Sequence, residues 1–332
     1  MKRRKFGTTG LEISEVVFGA GAVGGLLIDA DDATRRAALW LALDLGINWI
    51  DTAPSYGNGA SETALGWLLQ EVPEERRPHI STKVQFDANA GDFPGQAERS
   101  MVASLERLQM DSVDLGQVHN GILASWEGNS RVLRPEHMLG KDGVADALDR
   151  LVDRGLARHI GISGTGKAGP VRDLIASGRF ASAQIYYNLL NPSAGRDMPA
   201  GWDAYDLENL IATAAEHDVA VMVIRVFAAG VIATDTRTGR EGGVVLDNDV
   251  AADERRMAAV LPLLKPEHGA RSQVAIRYAL HNPGVSGVLV GVAEIAHLRL
   301  ALDAAAMGPL PDDLLADLYR LADSNFPPPP GD

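Results

Sequence analysis

Short apolar runs alternate with amphipathic helical stretches along nearly the whole chain. No other feature restricts the possible folds as much. "EVVFGAG" leads into "DDATRRAALWLALDLG", with a helix-start signal at Asp31 and Asp32. "INWID" precedes "SETALGWLLQE", where Ser61 is placed to cap the helix and Glu62 lies near its positive end. "HISTKV", "VDLGQVH", "RHIGIS", "SAQIYYN", "VAVMVIRV" and "SGVLVGV" are each followed, directly or after a loop, by helical sequence. About eight strand–helix units result, the number that closes a (β/α)8 TIM barrel. "RKFGTTGLEIS" precedes the first unit and reads as an N-terminal β-hairpin turning at Thr9–Gly10. No Pro/Gly/Ser linker divides the middle. The expectation is one domain over residues 1–325 and a stiff Pro-rich tail over 326–332.

Composition narrows the partners. The chain has 332 residues, 46% hydrophobic and 23% charged, with a formal charge of -13 and no cysteine. That charge argues against nucleic acid and anionic membranes, which both need basic surface. The lack of cysteine excludes disulfides, thiolate catalysis and Cys-ligated metals. "MKRRK" before an apolar run faintly resembles a signal peptide, but Glu12 and Glu15 interrupt it and the run is glycine-rich. A cytoplasmic location is the default expectation.

In such a barrel, catalytic side chains stand at the C-terminal ends of strands. Strand alternation shows which polar residues point inward. In "HISTKV", Ile80, Thr82 and Val84 share the face that packs under helices, so Lys83 points into the mouth. Asp51 shares a face with Ile47 and Trp49, and His119 with Leu115 and Gln117. Tyr56 follows Asp51 on a loop marked by Pro54 and Gly57. Singly, a strand-end Lys or His has a structural explanation; four such groups at one mouth favour a catalytic one. Carbonyl reduction needs this set. A phenol, Tyr56, protonates the nascent alkoxide. An ammonium, Lys83, lowers the phenol pKa. A carboxylate, Asp51, holds the ammonium, and His119 orients the carbonyl oxygen and assists proton transfer.

At these residues the sequence resembles the aldo-keto reductase superfamily. The matching stretches are "GINWIDTAPSYGNGASETALG", "STKV", "SLERLQMDSVDLGQVHN", "HIGIS", "QIYYNLLNP" and "VLVGV", in the family's order. The resemblance implies a (β/α) barrel, a nicotinamide cofactor, NAD(P)(H), bound without a Rossmann fold, and the tetrad Asp51, Tyr56, Lys83 and His119. It also implies that Ser163 and Gln184 hydrogen-bond the nicotinamide carboxamide. Gly164 stands where the family usually has asparagine. The position often stacked on the nicotinamide ring falls at Ile224 or Arg225; Arg225 is the candidate, with a pyrophosphate contact or a surface salt bridge as its alternatives, and Phe227 to Gly230 match the segment over the pyrophosphate. In the last junction, from Gly291, the sequence "GVAEIAHLRLA" lacks the usual basic clamp for a 2′-phosphate. Glu294 is acidic there and only His297 helps, so the junction leans toward NAD(H) or dual use, with Arg299 as the residue that would reverse the lean.

Other readings compete. Gly19, Gly21 and Gly24 fit the G-x-G-x-x-G of a Rossmann dehydrogenase, but no helix opens within the glycines. Gly21 and Ala22 fit better as a first barrel loop that lets a cofactor or substrate approach. A metal hydrolase needs more strand-end histidines than His119, since His79 and His159 lie near strand starts; no metal is expected. A regulatory subunit of the same fold, binding cofactor with little turnover, is the third alternative. The substrate is expected to be a small carbonyl compound or sugar, with Trp126 and Arg131 in the loop after His119 as contacts. Ser163–Gly164 and "SGVLVGV" resemble the aldose dehydrogenase branch of the family. The sequence does not fix the oligomeric state.

Overall fold

The structure, a computed structural model, describes every residue except 22, 126–127, 238, 240–248 and 329–332. The N-terminal hairpin forms as expected: β1 (Arg3–Lys5) pairs antiparallel with β2 (Glu12–Ser14), and Gly10 turns the chain at φ 76°. The barrel strands follow: β3 (Val16–Gly19), β4 (Trp49–Asp51), β5 (His79–Val84) and β6 (Val113–Val118). A two-stranded parallel pair, β7 (Gly121–Ile122) and β8 (Val132–Leu133), then orders part of what the sequence presents as one long loop. β9 (Ala157–Ile162), β10 (Ser182–Tyr186), β11 (Ala220–Ile224) and β12 (Gly287–Gly291) complete the ring, and β12 pairs with β3 to close it. The fold is a (β/α)8 barrel of parallel strands.

Closure overturns the Rossmann alternative. Gly19 pairs with Asp51 inside the ring, and Gly24 lies so close to β12 that a Cβ there would sit 2.4 Å from the Val292 nitrogen. The glycine is needed for strand–loop packing.

Two apolar cores share the strands. The larger lies between strands and helices, where Ile80 and Val84 face outward as alternation requires. The smaller fills the bottom of the barrel with Phe6, Ile13, Val17, Trp49, Leu115, Ala220 and Met222. The hairpin supplies the plug, with the Phe6 and Trp49 rings 4.6 Å apart.

Helix starts match the sequence in part. Asp31 caps helix Asp32–Asp44 by accepting the Thr34 N–H at 2.8 Å. Ser61 is not a cap: helix Ala60–Gln70 starts after Gly59, and the buried Ser61 hydroxyl donates to the Ala20 carbonyl at 3.0 Å. A C-terminal helix, Asp312–Asp323, buries Leu314, Leu315 and Leu318 and was not anticipated from the alternation. The expected proline tail lies outside the described residues from 329 onward. No helix among the described residues is long and apolar enough to cross a membrane.

Candidate active site

Above the apolar plug the barrel interior turns polar. Asp51, at the end of β4, is fully buried and makes bonds from both carboxylate oxygens. Its Oδ1 accepts from Ser81 Oγ at 2.7 Å, Gln117 Nε2 at 3.0 Å and Gln184 Nε2 at 2.8 Å. Its Oδ2 accepts from Lys83 Nζ in a buried ion pair. Every neighbour is a donor, so the site suits the carboxylate anion. Lys83, 1% exposed, also donates to the Thr52 carbonyl at 2.8 Å and to Tyr56 Oη at 3.2 Å. Burial alone would lower the lysine pKa; Asp51 and Tyr56 outweigh it and hold it above the ordinary value.

Tyr56 is half-buried on the loop above β4, with the Lys83 nitrogen 4.8 Å from its ring centroid. Gly21 passes beside it; a Cβ there would come within 3.6 Å of the ring. Burial raises the phenol pKa, Lys83 lowers it and Asp51 raises it further, leaving it above the ordinary value. The sequence-based expectation of a net lowering by Lys83 is therefore corrected. The lysine acts in that direction, but the cost of a buried phenolate is larger.

His119 follows β6 with its N–H on the Val84 carbonyl at 2.8 Å, and its ring stands edge-on to Tyr56 at 5.8 Å. Nδ1 faces Ser55 Oγ at 3.5 Å. Burial and then the Lys83 charge push its pKa down to about 3. A neutral imidazole can orient a carbonyl by donating an N–H; it has no proton to give as an acid near neutral pH. That favours the orienting role anticipated for it over the proton-transfer one.

The structure thus brings together Asp51, Tyr56, Lys83 and His119, and adds residues that sequence reasoning passed over. Ser81 and Gln117 lie two positions below Lys83 and His119 on the same inward faces, a spacing that marks them. Trp49 Nε1 donates to Ser81 Oγ at 3.0 Å, which links the plug to the carboxylate. Asn120 is buried, takes the Phe86 N–H at 2.9 Å and donates to the Phe86 and Arg131 carbonyls at 2.7 and 3.0 Å. It ties together the loops after β5 and β6, on which His119 depends. Its place directly after a strand-end histidine was the available signal. On the outer face, Glu62 joins Thr82 at 2.5 Å to Arg107 at 2.7 Å and buttresses β5.

The opposite side of the mouth carries the other candidates. Ser163 directly follows β9, buried, its hydroxyl 3.2 Å from that of Thr165. Gln184, buried on β10, has its amide nitrogen on Asp51. Gly164 has φ 53°, and a Cβ there would meet the Gln184 carbonyl at 2.4 Å, so the asparagine usual in the family does not fit. Arg225 follows β11 with φ 55°, its guanidinium 5.9 Å from the Tyr186 ring centroid. Phe227 begins a turn in which Ala228, Ala229 and Gly230 also take positive φ. Left-handed backbone at non-glycine residues costs energy and tends to collect at ligand sites. Gly291, Glu294 and His297 are exposed at the last strand–helix junction, and helix Ile295–Ala306 begins there without a side-chain cap. Val292 and Ala301 are core residues. Arg131 is exposed, while Ala22 and Trp126 lie outside the described residues. No group of three His, Asp or Glu residues able to hold a metal ion occurs among the described residues.

A closed parallel barrel with an Asp–Lys–Tyr–His cluster at the C-terminal end of its strands defines a class, and comparison with known proteins identifies it. The chain belongs to the Aldo/keto reductase family, whose family model matches residues 15–323. It is 32% identical over 169 residues to aldo-keto reductase YhdN of Bacillus subtilis, a match spanning 49% of this chain and 47% of that one. It is 28% identical over 343 residues to the D-threo-aldose 1-dehydrogenase of a Pseudomonas species, covering 93% of this chain and 94% of that one. The holo form of aldo-keto reductase AKR11C1 from Bacillus halodurans superposes with a TM-score of 0.73 at 21% identity, covering 100% and 99% of the two chains. The family is one of oxidoreductases.

Proposed function

We propose that the protein interconverts a carbonyl compound and an alcohol by hydride transfer with NAD(P)(H), with Tyr56 as the general acid and base. The observation that carries this is the chain Asp51–Lys83–Tyr56: a buried ion pair whose ammonium lies 3.2 Å from a phenol oxygen at an open mouth. The residues on the far side fit a nicotinamide dinucleotide. Ser163, just after β9, and Gln184, on the neighbouring β10, offer a hydroxyl and an amide oxygen to a carboxamide, the Gln184 amide nitrogen being held by Asp51; Gly21 keeps side chains off the tyrosine, and the turn from Arg225 to Gly230 has the left-handed backbone that collects at ligand sites. When bound, the cofactor supplies or accepts the hydride at the carbonyl carbon.

The chain's residues handle the proton. In reduction, His119 donates a hydrogen bond to the carbonyl oxygen from the ring nitrogen turned away from Ser55, and Tyr56 Oη passes its proton to that oxygen as the C–O double bond becomes single. Lys83 stabilises the phenolate that remains, and Asp51 keeps Lys83 in place. In oxidation the phenolate takes the hydroxyl proton. A phenol held protonated by burial suits reduction near neutral pH. Similarity to an aldose dehydrogenase over nearly the whole chain supports a sugar or a sugar-like hydroxy-carbonyl compound as substrate. The exposed Glu294 at the last junction supports NAD(H) or dual use over strict NADP(H).

The test combines a substrate panel with one substitution. Aldoses, aldehydes and ketones are assayed with all four cofactor forms, and Tyr56→Phe is compared on the best pair. The expected result is a kcat loss of about 10²–10⁴-fold with cofactor affinity nearly unchanged. Near-wild-type kcat in that variant rejects the role. Tight cofactor binding with no turnover on any carbonyl would favour the regulatory-subunit alternative.

A further inference from the structure

Beneath the ion pair, Gln117 on β6 is fully buried and has only half its amide matched. Nε2 donates to Asp51, while Oε1 has no protein partner among the described residues. Reversing the amide would point Oε1 at the carboxylate, so this orientation is the one electrostatics selects. Ser182, at the start of β10, is also fully buried, and its Oγ likewise lacks a partner. The two residues flank one position: Gly161 on β9 pairs with Gln117 on one side and Ser182 on the other. A Cβ on Gly161 would lie 2.4 Å from Ser182 Oγ and 3.4 Å from Gln117 Cγ. Both side chains thus pack over Gly161, whose missing Cβ is what lets the Ser182 hydroxyl come this close, and each carries an unmatched polar atom beside it. Buried polar atoms in folded proteins are matched by protein or by ordered water.

We propose that Gln117 is a positioning residue for the catalytic carboxylate, seated by one buried water that it shares with Ser182 beside Gly161. The water donates to Gln117 Oε1 and exchanges a hydrogen bond with the Ser182 hydroxyl. Gln117 then acts on the reaction through Asp51. Its donor spreads the carboxylate charge and leaves the Lys83 ammonium more strongly felt at Tyr56. The titratable groups facing Tyr56 are Lys83 from β5, Asp51 from β4 and His119 from β6, and His119 stays neutral at the pH values concerned. This inference rests on Tyr56 as the proton-transfer residue.

The experiment is the pH dependence of kcat for alcohol oxidation in the wild type, Gln117→Met, Ser182→Ala and the double variant. Loss of the Gln117 donor should move the rising limb up by about half a pH unit or more, with KM unchanged. Ser182→Ala, which is remote from Lys83 and small enough to fold, should move it the same way by less. The double variant should shift no further than Gln117→Met alone, because Ser182 acts only through the water and Gln117. A high-resolution crystal structure should show that water within hydrogen-bond reach of both atoms. An unmoved limb in Ser182→Ala, additive shifts, or no water there overturns the proposal. Full activity in Tyr56→Phe would instead overturn the underlying mechanism, so the two failures are distinguishable.

Discussion

The two sides of the barrel mouth are built differently. On β4, β5 and β6 the polar residues Asp51, Ser81, Lys83 and Gln117 are all at most 1% exposed and bonded to one another. On the side of β11 and β12 the inward residues Met222 and Leu289 are apolar. The polar candidates there, Arg225, Glu294 and His297, stand at loops and a helix start, half-buried or exposed. The first side is cross-linked from within and holds its geometry through many short contacts. The second presents backbone and solvent-facing side chains that a long ligand can engage one by one. In the proposed reaction the densely bonded side is the one where the proton would move, and the open side the one that would hold the cofactor.

The comparison predicts that one buried charge matters most. Asp51→Asn leaves the Lys83 ammonium inside the barrel without its anion, a change that costs about 3–5 kcal/mol for a broken buried pair. Denaturant unfolding should show that loss, and turnover should fall with it; a variant within about 1 kcal/mol of wild type would break the contrast between the two sides.

A middle-sized effect concerns acid. His119 titrates at about 3 in the folded chain against an ordinary 6.5. Below pH 6.5 the unfolded chain binds a proton that the folded chain refuses, so stability falls as pH drops, by about 2 kcal/mol at pH 5. His119→Asn should be free of this loss, seen as a flatter stability curve between pH 7 and 5; an unchanged curve would place the acid sensitivity elsewhere. The smallest effect belongs to the open side. Glu294→Arg should raise the NADP(H)/NAD(H) ratio of kcat/KM severalfold while leaving Tm unchanged, because the side chain is exposed. A ratio that does not move would remove Glu294 from cofactor choice.

Much of this was legible in the sequence because a strand's period of two is strict. It placed Asp51, Lys83 and His119 inward without any knowledge of pairing. Ser81 and Gln117 lie on the same faces, yet their importance depends on register: only the pairing of Asp51 with Ser81 and of Lys83 with Gln117 puts them around one carboxylate. Ser61 matched a helix-cap pattern, but the left-handed Gly59 started the helix and released Ser61 to bond across to Ala20. The net direction of the Tyr56 pKa was missed for a similar reason. A neighbouring charge can be inferred from alternation, whereas the depth of burial that outweighs it is a property of the packed loop. Helix Asp312–Asp323 was missed because it adds no strand to the repeat on which the count rested.

The hairpin plug of Phe6 and Ile13 against Trp49 makes the barrel a cup with one opening. Traffic through a single rim must queue. A molecule seated against the floor has to arrive before anything resting above it, and cannot leave until its neighbour has gone. The few residues before the first barrel strand thus help decide from which side the polar cluster can be reached.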